Sequence, residues 1–550
     1  MPDRARRLSG EAQRMRADEP GEASPAHLDA TVSNAVSNLG PRAELQLDPN
    51  VLAKSYVDTG ILLRLRNANH QIVYGRRGTG KSHVFLMLEH ELNAADDVRA
   101  VYLDLRNTGS AQLVTDQTRS LTDRSISVYR DILSSLQGAL YDLATDPSRA
   151  DGGFEEVNRL AEAIRRQVTN ATQRRTEAGS TSARGTHDGF ELTPSNTRLS
   201  VRDQSSSTES RTVEETAAVR DTIVFAEVAT ALREATEALG LDRLYLLIDE
   251  WTHIPQDVQP FIAEFIKRTL LATRRITVKI ASLEYRSRFS SVLPGHGRVG
   301  FEIGPDIAAN LDLDDVYVFD RDPERVVEIF ERVLFQHLSA LTPDGRLPEL
   351  GMGNAKSLRA KMFTDPKTFE ELVRAGEGVV RDFLGVFGLA YFSAYGARRK
   401  IDMRAVEDAA RDWYETDKSA NLSDAQRVAL DKIVSLVIGE RKTKMFMLKR
   451  EHSQNALILS LFDERVLHLI DRGYSDKENP GLRYNIYGLD YGTYVDLKRT
   501  KASPETTLFD GEPELSAEFS AEDDRSASAL VPRADRRSIR RVILDPSDLE

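Results

Sequence analysis

Eight consecutive residues, Gly75-Arg76-Arg77-Gly78-Thr79-Gly80-Lys81-Ser82, form a complete G-x-x-x-x-G-K-S phosphate loop. Glycines at these positions let the backbone curl until successive N–H groups point inward at an anion. Lys81 adds a point charge for the outer phosphates of a nucleotide, and Ser82 offers a hydroxyl to Mg²⁺. A second chemical signal lies far downstream. The apolar run Leu244-Tyr245-Leu246-Leu247-Ile248 leads directly into Asp249-Glu250. A carboxylate at such a strand end can sit beside the phosphate loop and hold the Mg²⁺ shell, which falls to Asp249. The adjacent Glu250 can orient and polarise an attacking water as catalytic base.

These residues work only if the right elements carry them. Gln71-Ile72-Val73-Tyr74 reads as a short buried strand and the residues from Ser82 as a helix opening. Strand, loop and helix in that order aim the positive helix end at the phosphates. Ala100-Val101-Tyr102-Leu103-Asp104, Leu244–Ile248, Ile276-Thr277-Val278-Lys279-Ile280-Ala281 and Val316-Tyr317-Val318-Phe319 read as further strands. Helical spacing over Val128–Ala144, Val224–Leu239 and Val258–Leu271 separates them, and the chain from about Leu45 to Asn69 also looks helical. Strands alternating with helices over residues 70–320 imply a mostly parallel sheet covered on both faces.

The chain has 550 residues, too many for one core, and an apolar share of 40%, which leaves room for unfolded stretches. Its formal charge of −12 means that any contact with nucleic acid needs a local basic patch. With no cysteine, disulfides, a thiol nucleophile and Cys-containing zinc sites are excluded, and a reducing cytoplasm suits the chain. No apolar run approaches the roughly 18 residues of a membrane span, so no membrane is expected. Residues 1–44 read as a disordered arm. About 169–215, rich in Ser, Thr, Arg, Glu and Gly, reads as a disordered insertion within a 45–322 domain. Residues 323–420 are helical only, residues 421–500 form another module, and 501–550 read as an unfolded tail that is acidic and then basic through Arg533–Arg541.

In that module Leu461–Ile470 reads as a helix, Gly473 ends it, Asn479-Pro480-Gly481 turns, and Tyr484–Tyr487 and Tyr494–Leu497 read as strands. This is the rough grammar of a winged helix. Arg441, Lys442, Lys444, Lys449, Arg450, Arg472, Arg483, Lys498 and Arg499 would give salt-sensitive contacts to DNA phosphates.

With these motifs in order, residues 45–420 resemble the initiator-like AAA+ ATPases, the branch containing origin-recognition and Cdc-type replication initiators. They are also similar to the related STAND signalling ATPases. The implied fold is α/β: a P-loop parallel sheet with flanking helices, then an α-helical lid and a winged-helix-like C-terminal domain. The resemblance implies ATP rather than GTP, with Mg²⁺. It implies that Ser282, closing the Ile276–Ala281 strand, is the first sensor. In Gly376-Glu377-Gly378-Val379-Val380-Arg381, it makes Arg381 the second sensor. It further implies a homo-oligomer in which an arginine, Arg286 or Arg288 with Arg274 and Arg275 in reserve, reaches a neighbour's nucleotide. Three readings follow. One is an ATPase that switches an assembly on double-stranded DNA held through residues 425–500. The others are a STAND-like signalling ATPase that oligomerises and binds proteins without nucleic acid, and a scaffold that keeps ATP as a structural ligand.

Overall fold

The structure is a computed structural model. It describes residues 25–40, 48–107, 118–147, 152–165, 167–170, 190–192, 199–201, 218–221, 223–295, 297–475, 481–497 and 542–549. Residues 1–24 and 41–44 of the arm expected over 1–44, most of the insertion, the turn at Asn479-Pro480, the basic pair Lys498 and Arg499, and the charged runs of 505–541 lie outside the described residues, whereas Ala30–Ser37 of that arm is a helix with Val32, Ala35 and Val36 buried. The chain divides into two compact units, Asp58–Val316 on the one hand and Met1–Val57 with Tyr317–Glu550 on the other.

In the Asp58–Val316 unit, β1 (Gln71–Tyr74) runs into the Gly-rich loop and α1 (Lys81–Leu92), as the sequence implies. There follow β2 (Val98–Asp104), α2 (Leu121–Ala144), α3 (Phe154–Arg165), α4 (Phe225–Ala238), β3 (Arg243–Asp249), α5 (Gln259–Ile266), β4 (Ile276–Ser282) and β5 (Ala308–Asp312). All five strands are parallel, in the order β5-β1-β4-β3-β2. From β1 the chain crosses to the far edge at β2, returns through β3 to β4, and then passes to the other side of β1. The strand order therefore reverses beside β1, the place where an open parallel sheet leaves a crevice at its carboxyl edge. Every residue of β4 is buried, and so are the last six of β3, as expected for central strands covered on both faces. Ile132, Leu136 and Leu140 of α2, Val228 and Leu232 of α4 and Phe261 and Phe265 of α5 supply the covering core.

The fifth strand corrects one expectation. Val316–Phe319 is not a strand; Asp314–Val316 is a single 3₁₀ turn, and β5 lies earlier, at Ala308–Asp312. The Val-Tyr-Val-Phe alternation looks stronger than Ala-Ala-Asn-Leu-Asp because its side chains pack elsewhere. Tyr317 meets Phe330 edge-on at 5.8 Å, and Phe319 lies under the Arg374 guanidinium. The helix expected from Leu45 to Asn69 is two, Pro49–Ser55 and Ile61–Leu65, the second entered through Gly60 at φ 86°. In the insertion, 167–170 pairs antiparallel with 218–221, and 190–192 with 199–201, so α3 and α4 are joined by a paired stem.

The second unit contains α6 (Pro323–Leu341), α7 (Pro366–Ala375), α8 (Val380–Gly396), α9 (Met403–Trp413), α10 (Asp424–Val434), β6 (Met445–Lys449), α11 (Ala456–Asp463), β7 (Leu467–Ser475), β8 (Arg483–Leu489) and β9 (Ile543–Leu544). Asp and Ser residues cap many of these helices: Asp322, Asp365, Asp402 and Ser423 each accept from an early backbone N–H. Two expectations change here. The apolar run Leu461–Ile470 is half helix and half strand, broken at Arg465, which adopts φ 63°. Val495–Leu497 is a 3₁₀ turn rather than a strand. Within the tail read as unfolded, Ile543 and Leu544 pair parallel with Met447 and Leu448 as the edge of a four-stranded sheet, order β7-β8-β6-β9.

Candidate functional site

Parallel register sets the site. Tyr74 at the end of β1 lies opposite Ser282 at the end of β4; Ile248 pairs with Ile280, and Asp249 with Asp104. The start of the phosphate loop, Ser282, Asp249 and Asp104 therefore stand side by side along one carboxyl edge. Two interstrand steps, about 10 Å, separate the β1 and β3 backbones. That span lets a lysine and a carboxylate converge on one Mg²⁺–phosphate group.

The loop is tight. Gly78 and Gly80 take φ 87° and 97°, backbone that L side chains rarely adopt. A Cβ on Gly75 would stand 2.7 Å from Thr79 Oγ1. That hydroxyl donates to the Arg76 carbonyl at 2.9 Å. Lys81 is folded over the loop, its Nζ donating to the carbonyls of Gly75 at 2.7 Å and Arg76 at 2.9 Å. No side chain caps α1, so its first turn turns backbone N–H groups toward the loop. Ser82 stands half-buried in that turn. Arg77 is exposed, whereas Arg76 is buried against Asp314, which accepts from its N–H at 2.9 Å and its Nε at 3.1 Å. Asp314 follows β5, so this pair ties the loop to the strand on its outer side.

Asp249 is wholly buried. Its Oδ2 accepts from the Tyr102 hydroxyl at 2.8 Å and its Oδ1 from the Glu250 N–H at 2.8 Å. Both donors are neutral, and among the described residues no cation neutralises the carboxylate. A buried carboxylate held this way costs free energy unless a cation joins it. Asp249 and the Ser82 hydroxyl thus fit a Mg²⁺ that is also held by phosphate oxygens, in keeping with the way this ion uses few protein ligands. Glu250 takes φ 55°, left-handed backbone for a residue with a Cβ, and stands half-exposed at the rim. Next to it, Trp251 is fully buried and stacks on Phe289 at 5.2 Å, so the loops after β3 and β4 pack together.

Ser282 is buried at the end of β4 and shares a hydrogen bond with Ser287, whose hydroxyl also reaches the Leu283 carbonyl at 2.5 Å. Buried Gln259 holds the same loop. Its Nε2 donates to the carbonyls of Ile254 at 2.8 Å and Arg286 at 3.3 Å, while its Oε1 accepts from the Arg288 N–H at 2.6 Å. Arg286 and exposed Arg288 therefore follow the carboxyl edge. Arg274 and Arg275 precede β4 at its other end, where Arg275 donates to the Leu241 carbonyl at 2.6 Å. Arg381 belongs to the other unit, half-buried in the first turn of α8 after a turn with Glu377 at φ 44° and Gly378 at φ 77°. In that unit Lys444 is not surface charge: it is buried between Asp320 at 3.1 Å and Glu377 at 3.7 Å. Arg441, Lys442, Arg450 and Arg483 are exposed. Tyr484, Tyr487 and Tyr494 are buried as packing.

The sequence reading missed Tyr102, Asp314 and the pair Asp104–Arg106. Burial acts to raise the Asp104 carboxyl, but the Arg106 guanidinium and N–H hold it below its ordinary value. An apolar strand carrying Tyr two residues before a terminal Asp was the only local signal.

A parallel sheet of this order, with a Gly-rich loop at β1 and Asp-Glu at β3, is a P-loop nucleotide-binding fold. Residues 42–295 match the model of the ORC-CDC6-like family, so this span is similar to that family. Similar solved structures include Cdc6p from Pyrobaculum aerophilum, 11% identical, covering 82% of this chain and 97% of that one at a TM-score of 0.31. Orc1 from Aeropyrum pernix in complex with DNA is 12% identical over 83% of this chain and 93% of its own, at 0.28. Drosophila ORC bound to DNA is 12% identical over 89% and 98%, at 0.27. No curated protein matches the chain. Among the described residues no helix is long and apolar enough to cross a membrane.

Proposed function

We propose that this chain is a Mg²⁺-dependent ATPase whose nucleotide state switches an assembly bound to double-stranded DNA. The observation that carries the proposal is the shared carboxyl edge: Lys81 follows the end of β1, and buried Asp249, with no cationic partner among the described residues, ends β3 one strand beyond β4. Lys81 leaves the loop carbonyls to meet the β- and γ-phosphates. The N–H groups of Gly75–Ser82 cradle them. Ser82 and Asp249 would hold Mg²⁺, which would supply neutralisation of the phosphate charge. Glu250 orients and deprotonates the attacking water for in-line displacement at the γ-phosphate. Ser282 contacts that phosphate or the water, and Arg381 senses it from the lid. Arg286 or Arg288, presented by the loop that Gln259 holds, serves a neighbouring subunit in a homo-oligomer.

DNA binding is supported by the match of residues 42–295 to the ORC-CDC6-like family and by exposed Arg441, Lys442, Arg450 and Arg483 in the winged-helix-like module at residues 421–500. The burial of Lys444 favours the second reading, a signalling ATPase whose C-terminal module binds protein. ATP turnover measured with and without duplex DNA, at two salt concentrations, tests both. Lys81→Ala is expected to lose tight ATP binding, and Glu250→Gln to keep binding and lose turnover. DNA stimulation that vanishes with Arg441, Lys442, Arg450 and Arg483 changed to Ala supports the first reading. Turnover without DNA binding at low salt supports the second, and parental turnover in Glu250→Gln refutes the assigned base.

A further inference from the structure

Among the described residues the carboxylate of Asp249 has two neutral donors, the Glu250 N–H and one side chain, the hydroxyl of Tyr102 at 2.8 Å. That hydroxyl arrives from β2, whose outer side faces no further strand among the described residues. Instead the phosphate-loop helix α1 covers it. Glu89 Oε1 accepts from the Tyr102 N–H at 2.9 Å. Asn93 bonds Ala100 twice: its Oδ1 accepts from the Ala100 N–H at 2.7 Å, and its Nδ2 donates to the Ala100 carbonyl at 3.1 Å. Two side chains one helical turn apart on α1 thus take two successive ladder positions of β2. The register between α1 and β2 is fixed, and with it the place of the Tyr102 hydroxyl relative to the loop that α1 follows.

We propose that Tyr102 is a positioning residue for the Mg²⁺ site: it locks the Asp249 carboxylate in one rotation and links that setting to the phosphate-loop helix. The proposal rests on the ATP reading above and deepens it. Without the hydroxyl, Asp249 keeps the Glu250 N–H on Oδ1, but Oδ2 loses its anchor and the carboxylate turns freely about its terminal torsion. Partners of this kind commonly contribute ten- to a hundredfold to metal affinity, because they pre-set the ligand atom before the ion arrives. The hydroxyl donates to Asp249 rather than to the phosphate loop, so its loss is expected to act on Mg²⁺ and not on the phosphate cradle.

The experiment titrates Mg²⁺ into the full chain bound to a fluorescent ATP analogue and reads nucleotide affinity rather than turnover. Parental protein is expected to bind the analogue weakly in EDTA and tightly with Mg²⁺. Tyr102→Phe is expected to match it in EDTA, yet to need about tenfold more Mg²⁺ for half-maximal tightening. In an Asp249→Asn background, adding Tyr102→Phe should change nothing further. An unchanged Mg²⁺ midpoint in Tyr102→Phe overturns the proposal. So does an equal loss of affinity with and without Mg²⁺, or failure of Tyr102→Phe to fold; each marks the hydroxyl as structural only. If parental protein binds no analogue, and Lys81→Ala is indistinguishable from it, the ATP reading itself has failed, a result distinct from all of these.

Discussion

Buried lysines are used in two ways in this molecule. In the Asp58–Val316 unit, Lys81 donates to main-chain carbonyls of its own loop. In the other unit, Lys418 lies between the carboxylates of Asp382 at 3.1 Å and Asp490 at 2.5 Å, and Lys444 between those of Asp320 and Glu377. Neutral carbonyls solvate an ammonium without cancelling its charge, so an incoming phosphate gains from displacing them. Carboxylates have already cancelled it, and a new anion gains nothing there. A ligand can displace the carbonyl contacts of Lys81, whereas the carboxylate pairs hold elements together. Arg465 and the Trp413 Nε1 donate to Asp382 and Lys418 pairs with it, so that this carboxylate joins the start of α8 to the end of α9, the turn after it and a residue between α11 and β7.

The largest test of this contrast removes the shared acceptor. Asp382→Ala leaves buried Lys418 with Asp490 alone and Arg465 with Asp417 alone, and is expected to cost about 3 kcal/mol in urea unfolding followed within the Tyr317–Glu550 unit. Lys81→Ala should leave that transition in place while losing nucleotide. If Asp382→Ala costs less than about 1 kcal/mol, the network is not what holds these elements.

Chemistry that is local in sequence was legible; chemistry assembled by register was not. The phosphate loop and Asp249-Glu250 could be read because glycine spacing and a strand's terminal acid are contiguous signals. Tyr102 could not be assigned, since its partner is 147 residues away, and Arg76 reads as a phosphate contact because Asp314 lies 238 residues on. The fifth strand was misplaced for a related reason. Strand propensity favours Val316–Phe319, but those side chains serve as packing, while Ala308–Asp312 becomes a strand only because β1 offers it an open edge. In the C-terminal module, helix and strand share one apolar run, and periodicity cannot show that Arg465 divides it.

A pH series distinguishes the units by the sign of its slope. Burial pushes the Glu377 carboxyl up to about 7, against the pull of Lys444 and with Asp320 and Asp490 adding to the rise, while Lys418 opposes it. Between its ordinary 4.5 and that value the folded state binds more protons than the unfolded one. Stability of the Tyr317–Glu550 unit should therefore fall as pH climbs through this window, by up to about 3 kcal/mol from this group. His70, whose Nδ1 accepts from the Val278 N–H at 3.1 Å, is pushed down to about 4 by burial and by Lys279 and Arg243. Here the folded state binds fewer protons between about 4 and 6.5, so stability is lost as pH falls through that range. Partial solvent access reduces this contribution to about 1 kcal/mol. Amide exchange, corrected for its intrinsic pH dependence, reads the two regions separately. Glu377→Gln should flatten the first slope and His70→Asn the second; slopes of the same sign in both units would break the contrast.

The smallest expected effect sharpens the contrast from the other side. Lys54 and Asp344 pair at 3.0 Å with side chains 55% and 90% exposed, so water screens both charges and both side chains give up freedom to meet. The Lys418–Asp490 pair, at 2.5 Å with both side chains 2% exposed, is buried and has second partners in Asp382 and His468. If burial rather than contact decides the worth of an ion pair, a double-mutant cycle on Lys54→Ala and Asp344→Ala should return a coupling under about 0.5 kcal/mol, weakening further with salt. The same cycle on Lys418→Met and Asp490→Asn should return several times more and hardly respond to salt. Equal couplings at the two sites would mean that distance, not desolvation, sets the strength of these pairs, and the separation between poised and cancelled lysines would lose its physical basis.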